Sequence, residues 1–328
     1  MRPVGWLEGR FPSIEQRGWT RHSHAGYKYL LYIPPGLRPD SRVPLLVMLH
    51  GCGQDARGFA EGSRMNELAD AYRFMVLYPE QSRTVNPFGC WRWFDRETLN
   101  GTGEALLLAR LASSISTRYP VDPARIYLVG LSAGGAMASI LAMRYGARFA
   151  ACAIVSGLMY KAADTVERAF RAMRGESLML PHDGAADVLN GKSADVRFVP
   201  ALVIHGDRDS SVHPRNAQQI VEQFRRFAEL TRGPLIETEE LRIVSLGRPY
   251  RQRDYLQEDR TLLRAITIEG LGHAWSGGDD RYRFNDATGP DASRLIWEFV
   301  SAFRREIDGR TAVAISAAGK TTLSEQAL

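Results

Sequence analysis

The sequence predicts an α/β protein: a doubly wound, mainly parallel sheet with one small cap insertion. Short apolar, β-branched runs alternate with helix-forming stretches from residue 27 to about residue 303, the order that lays helices on both faces of a parallel sheet. The middle runs are apolar throughout rather than alternating, as buried parallel strands are. At Gly130-Leu131-Ser132-Ala133-Gly134 an apolar run passes directly into a stretch rich in Ala, Met and Leu, which reads as a strand turning sharply into a helix.

The 328 residues hold one large α/β domain or two small ones. A hydrophobic content of 45% and a charged content of 24% are ordinary for a globular protein. The net charge of +5 is spread out. With no Lys/Arg block it reads as a solvated basic surface, which argues against a nucleic-acid partner. No apolar run approaches the roughly 18 residues of a membrane span. The stretch Met1–Glu8 has no apolar core or small-residue cleavage site, so a cytoplasmic location is expected. Three cysteines are too few for a disulfide scaffold, and none lies in a zinc-binding pattern. No metal or cofactor is expected.

Residues 1–26 carry little periodicity and read as an N-terminal extension to a catalytic domain over 27–308. Tyr27–Ile33 is the first strand, ended by Pro34-Pro35-Gly36. Pro44–His50 is a second, uniformly apolar strand that breaks at His50-Gly51-Cys52-Gly53-Gln54. Residues 63–72 read as a helix and Phe74–Pro79 as a strand. The long loop from Glu80 to Gly101 carries Cys90-Trp91-Arg92-Trp93-Phe94. Three aromatics in four loop positions suggest a surface in use, so Trp91 and Trp93, together with Trp275, are expected to bind substrate. Residues 103–119 are an amphipathic helix with Leu106, Leu107 and Leu111 on one side.

Ile126–Leu131 is the strand before Ser132, and 133–145 the helix after it. Phe149–Val155 is a strand in which Cys152 reads as a buried small hydrophobe. Residues 157–200 exceed an ordinary connection and read as the cap insertion, with a helix near 164–174 and a polar segment, Pro181-His182-Asp183-Gly184. Val199–His205 is a strand ending in His205-Gly206-Asp207-Arg208-Asp209, followed by a helix over 215–230. Residues 232–260 are charged and irregular. Leu262–Ile268 is the last clear strand, before Gly270-Leu271-Gly272-His273-Ala274-Trp275. A final helix starts at 288–290 and buries Leu295, Ile296, Phe299, Val300 and Phe303. Residues 309–328 are small and polar and are expected to be disordered.

The strand-to-helix turn pushes the Ser132 hydroxyl out at the carboxyl end of the sheet, where backbone N–H groups favour negative charge. A serine needs a base to take its proton, and a histidine base needs a carboxylate to hold its tautomer. Both belong after later strands, in the order Ser, Asp, His. Asp209 and His273 meet that order. Asp207 competes as the acid. His213 competes as the base, but it lies beside the acid and before Pro214. His50 and His205 each stand between a strand end and a glycine and read as structural. His22 and His24 lack companion ligands. The backbone N–H of Ala133 is one expected oxyanion donor, and that of Cys52, between Gly51 and Gly53, is the other.

The segments Leu49–Gln54, Cys90–Phe94, Gly130–Met137, His205–Asp209 with Val212 and Pro214, and Gly270–Gly278 together resemble the polyhydroxybutyrate depolymerase family of esterases. This is a branch of the α/β-hydrolase fold that includes feruloyl and acetylxylan esterases. The resemblance implies Ser132 as nucleophile, Asp209 as acid, His273 as base and an oxyanion donor from the Cys52 loop. It implies hydrolysis of an ester through an acyl-enzyme. With no visible signal peptide or appended binding domain, oligomers of 3-hydroxybutyrate or similar short esters are expected rather than insoluble polymer. Feruloyl or acetylxylan ester hydrolysis and serine peptidase activity are alternatives on the same fold, and a non-catalytic binding protein is a remote one.

Cys52 and Cys90 follow neighbouring strands on one edge of the site. They are expected within disulfide reach, with Cα atoms roughly 4.4–6.8 Å apart. Two unrelated thiols is the competing reading.

Overall fold

The computed structural model describes residues 18–24, 27–38, 40–190, 196–244 and 247–306. In chain order its strands are β1 (Gly18–His24), β2 (Tyr27–Ile33), β3 (Val43–Leu49), β4 (Met75–Glu80), β5 (Val121–Leu131), β6 (Ala151–Val155), β7 (Ala201–Gly206), β8 (Ile236–Glu237), β9 (Leu241–Ile243), β10 (Tyr250–Gln257), β11 (Arg260–Ile268), β12 (Trp275–Ser276) and β13 (Asn285–Asp286). The helices are α1 (Ala56–Ser63), α2 (Met65–Tyr72), α3 (Arg96–Leu99), α4 (Gly103–Arg118), α5 (Ala133–Arg144), α6 (Val166–Met173), α7 (Pro181–Asn190), α8 (Arg215–Arg232) and α9 (Ala292–Val300).

The main sheet runs β1-β2-β4-β3-β5-β6-β7-β11-β10-β8, with β9 on β10. Neighbours from β4 through β3, β5, β6 and β7 to β11 pair in parallel. The antiparallel pairings lie outside this block. Every residue of β3 and β6 is buried, because both faces of a central strand are covered by helices. α5 lies against β5 with all its residues buried except Arg144. Its Ala- and Gly-rich start lets the two backbones approach within van der Waals contact. Parallel order brings the carboxyl ends of β3, β5, β7 and β11 to one edge, where open α/β sheets carry their sites.

The predicted strands of the parallel block and the helices α4, α5 and α8 occur near the expected positions. Four readings need correction. Gly18–His24 is not part of an extension: it is an edge strand in register with β2. The helix read over 63–72 is α2, and a separate helix that the reading lacked, α1, precedes it across Arg64 at φ 57°. The 232–260 region is not irregular, since β10 pairs with β11 along its length. The polar segment at Pro181 opens a helix, α7, which packs on α8. The insertion is tied to α8 through Gln223, whose Nε2 donates to the Tyr160 carbonyl (2.9 Å) and whose Oε1 accepts from the Tyr160 N–H (2.9 Å). Residues 1–17 of the expected extension, 191–195 of the insertion and the expected tail over 309–328 lie outside the described residues.

Candidate active site

Ser132 caps β5 and opens α5 at φ 57°, ψ −119°, a backbone conformation that a non-glycine residue holds only under tertiary constraint. The constraint is visible in its neighbours. A Cβ on Gly130 would stand 2.1 Å from the Gly134 carbonyl oxygen, and one on Gly134 would stand 2.1 Å from the Leu49 carbonyl oxygen. Two glycines are therefore required by space. The Ser132 N–H donates to the Val155 carbonyl (2.9 Å), locking the turn to β6. The serine is 8% exposed.

Asp209 follows β7 and is buried. Its Oδ1 accepts from the N–H groups of Ser211 (3.0 Å) and Val212 (2.8 Å). Its Oδ2 meets His273 Nδ1 at 2.7 Å and His205 Nε2 at 3.3 Å. Burial alone would raise this carboxyl's pKa. The bonds from His205 and His273 outweigh burial and hold it well below the usual carboxylate range. Asp209 is thus an anion across the whole neutral range. It fixes the His273 tautomer with the proton on Nδ1 and leaves Nε2 as the basic nitrogen. Asp207 is turned elsewhere: its Oδ1 accepts from the Gly270 N–H (2.7 Å) and braces the loop that carries His273. His213 is exposed, and its Nδ1 accepts from the Arg215 N–H.

The loop after β3 lies against the serine. A Cβ on Gly51 would stand 3.3 Å from Ser132 Cβ. Three of the four N–H groups from Gly51 to Gln54 are taken: Gly51 N–H by Gln54 Oε1 (2.8 Å), Gly53 N–H by the Phe88 carbonyl (2.9 Å) and Gln54 N–H by the Gly51 carbonyl (3.3 Å). Among the described residues, Cys52 N–H has no acceptor. His50 sits beneath this loop, fully buried. Its Nε2 accepts from the Gln81 N–H (3.1 Å), so Nδ1 carries the proton and donates to the Gly51 carbonyl (2.8 Å). Burial keeps the ring neutral, with its pKa brought down to about 4. Cys52 and Cys90 form a disulfide with Cα atoms 4.3 Å apart, which ties the loop after β3 to the aromatic one.

A family model for the esterase PHB depolymerases matches residues 27–234. The chain belongs to the PHB depolymerase family of esterases. Poly(3-hydroxyalkanoate) depolymerase C of Paucimonas lemoignei is 31% identical over 245 residues, 74% of this chain and 57% of that protein. Feruloyl esterase B of Neurospora crassa is 29% identical over 201 residues, 59% of this chain and 67% of that one. The chain therefore spans roughly 57–67% of the length of these relatives. The solved acetyl xylan esterase from Aspergillus awamori superposes with a TM-score of 0.65 at 19% identity, over 78% of this chain and 93% of that one. The fold is that of the α/β-hydrolases.

Within this PHB depolymerase-family framework, the expected aromatic wall is corrected. Trp91 and Trp275 are fully buried and Trp93 is 5% exposed, so none presents a face to a substrate. Trp91 Nε1 donates to the His50 carbonyl (3.0 Å) and its ring lies 5.3 Å from the His50 ring. It is a prop under the loop after β3. Trp275 Nε1 donates to Ser293 Oγ (3.1 Å), and its ring meets Phe59 edge-on. Of the aromatic run, only Phe94 is partly exposed.

Sequence reasoning missed three contributors. Gln54 is buried and clamps two loops, accepting from Gly51 N–H and donating to the Arg283 carbonyl (3.1 Å). Phe284, at φ 62°, packs edge-on to His273 with ring centroids 6.0 Å apart. Buried Glu104 accepts from the Arg92 N–H (2.8 Å) and from Gln81 Nε2 and orders the Cys90 loop. The only sequence signals were a glutamine inside a glycine loop and a lone acid at a helix start.

Proposed function

We propose that this protein is a serine ester hydrolase that works through an acyl-enzyme. His273 Nε2 takes the Ser132 proton as Oγ attacks the ester carbonyl carbon. The N–H groups of Cys52 and Ala133 receive the developing oxyanion. His273 then gives its proton to the departing alkoxide, and the same nitrogen activates water to release the acid. Asp209 stays ionised and stabilises the imidazolium in both steps. The observation that carries this reading is the 2.7 Å bond between His273 Nδ1 and buried Asp209, made at the edge of the sheet where the strained Ser132 emerges.

The substrates proposed are oligomers of 3-hydroxybutyrate or similar short esters. The kinship to poly(3-hydroxyalkanoate) depolymerase C supports that class. The likeness to feruloyl esterase B supports an alternative acyl group on the same machinery. The catalytic unit proposed runs from Gly18 rather than Tyr27 to 308, with 157–200 as its cap. A kinetic panel tests the class: 3-hydroxybutyrate oligomers should give the highest kcat/KM, above feruloyl and acetyl esters, and amides should be turned over least. Preference for feruloyl or acetylated sugar esters would move the protein to the alternative. Hydrolysis of amides above esters would make it a peptidase.

A further inference from the structure

The segment from Asp279 to Asp286 bridges the two halves of the site. Its backbone is held from three sides. The Arg283 carbonyl accepts from Gln54 Nε2 and from Asn285 Nδ2 (3.1 Å each), and the Phe284 carbonyl accepts from the Trp275 N–H (2.8 Å). The Arg283 side chain is therefore launched from a fixed base. Its Nη1 lies 3.8 Å from where a Cβ on Gly53 would stand, beside Cys52. Its guanidinium is 5.1 Å from the centroid of the Phe284 ring, and that ring packs edge-on to His273. An arginine lying along an aromatic ring keeps its N–H fork free for a second partner.

Its neighbours are neutralised. Arg281 pairs with Asp279 (2.5 Å) and Arg248 with Asp286 (2.9 Å). Arg283 is exposed and, among the described residues, no carboxylate lies within 4.0 Å of it. Arg283 is thus an oriented cation at the rim of the site, between the oxyanion-side loop and the base, with no carboxylate of the described residues within 4.0 Å.

We propose that Arg283 binds a carboxylate on the substrate, the free acid end of a short ester-linked hydroxyacid oligomer. This rests on the serine-esterase reading above and narrows it. An oligomer of hydroxyacids ends in a carboxylate at neutral pH, and a guanidinium matches that group with two parallel N–H donors. A neutral ester of the same length offers Arg283 nothing. The residue is a specificity determinant and takes no part in bond making.

The test is a ratio. kcat/KM is measured for the 3-hydroxybutyrate dimer and trimer as free acids and as their methyl esters. The wild type should prefer the acids by about tenfold. In Arg283→Gln the ratio should fall to about one, and Arg283→Lys should keep part of it because charge remains without the fork. Raising NaCl to about 0.5 M should lower the wild-type ratio and leave that of Arg283→Gln in place, since only an exposed ion pair is screened. A merely structural role would lower both rates together and leave the ratio untouched. An acid-to-methyl-ester ratio that is unchanged in Arg283→Gln, or a wild-type ratio near one at all salt concentrations, overturns the proposal. If the methyl esters are hydrolysed in those cases, the esterase reading stands and only the role of Arg283 falls. If no ester is turned over, both fall.

Discussion

Around Ser132 the chain is held by exclusion. Gly130 and Gly134 stand where any side chain would collide with backbone, a Cβ on Gly51 would crowd the serine at 3.3 Å, and His50, Gln54 and Trp91 fill what remains with buried hydrogen bonds. At β8, β9 and β10 the chain is held differently. There Arg253 pairs with Glu237 (2.7 Å), Arg251 with Glu240 (3.8 Å) and Arg242 with Glu269 (2.8 Å), all on surfaces open to water. Close packing admits one residue type at a position, whereas solvated ion pairs admit many. The two regions should therefore respond to substitution on different scales.

The largest effect belongs to the acid. Asp209→Asn should cut kcat by about 10³-fold or more, because His273 loses the charge that fixes its tautomer and stabilises its protonated form. Asp207→Asn should fall far less, since it loses only a brace on Gly270. The opposite ranking in steady-state kcat would move the acid to Asp207. Next comes Gly134→Ala. A methyl 2.1 Å from the Leu49 oxygen and 2.6 Å from the His50 oxygen must displace backbone, and urea denaturation should show a loss of about 3 kcal/mol or more. Near-wild-type stability would mean that exclusion does not hold the turn.

Acid should act on the same region through His50. Its folded pKa of about 4 lies below the ordinary value near 6.5, so between these values the unfolded chain binds a proton that the native protein refuses. Stability is therefore lost as pH falls from about 6.5 to about 4, by roughly 2–3 kcal/mol for this group at pH 4.5. Asp209 acts in a separate, lower window, because its depressed pKa contributes stability that is lost only below the ordinary carboxylate range. Urea midpoints at pH 7 and 4.5, for wild type and His50→Gln, check this. The variant should lose less stability over that interval. The smallest effect is at the edge: Arg253→Gln should change stability by no more than about 0.5 kcal/mol. A loss of several kcal/mol there would erase the contrast between the regions.

The same contrast explains what the sequence disclosed. The turn at Ser132, the positions of the bonded pair Asp209 and His273 and the strands that carry all three were legible because buried parallel strands are uniformly apolar and the tight turn needs glycine. β10 was not legible because Tyr250-Arg251-Gln252-Arg253-Asp254-Tyr255 has polar residues on both faces, satisfied by ion pairs such as Arg264 with Asp254 (2.6 Å) that no local pattern announces. β1 was missed for the related reason that an edge strand needs only one neighbour. The aromatic run misled in another way. Loop position told that Trp91 was unusual, but its acceptor, the His50 carbonyl, lies 41 residues away, and only the fold turns the ring inward.

If Ser132 is the nucleophile, covalent capture should find it. The protein is treated with a fluorophosphonate, digested, and mapped by mass spectrometry alongside Ser132→Ala. One adduct is expected, on Ser132, with ester hydrolysis lost in step with its formation, and neither adduct nor turnover in the alanine variant. An adduct on another serine, or ester hydrolysis that survives Ser132→Ala, would contradict it.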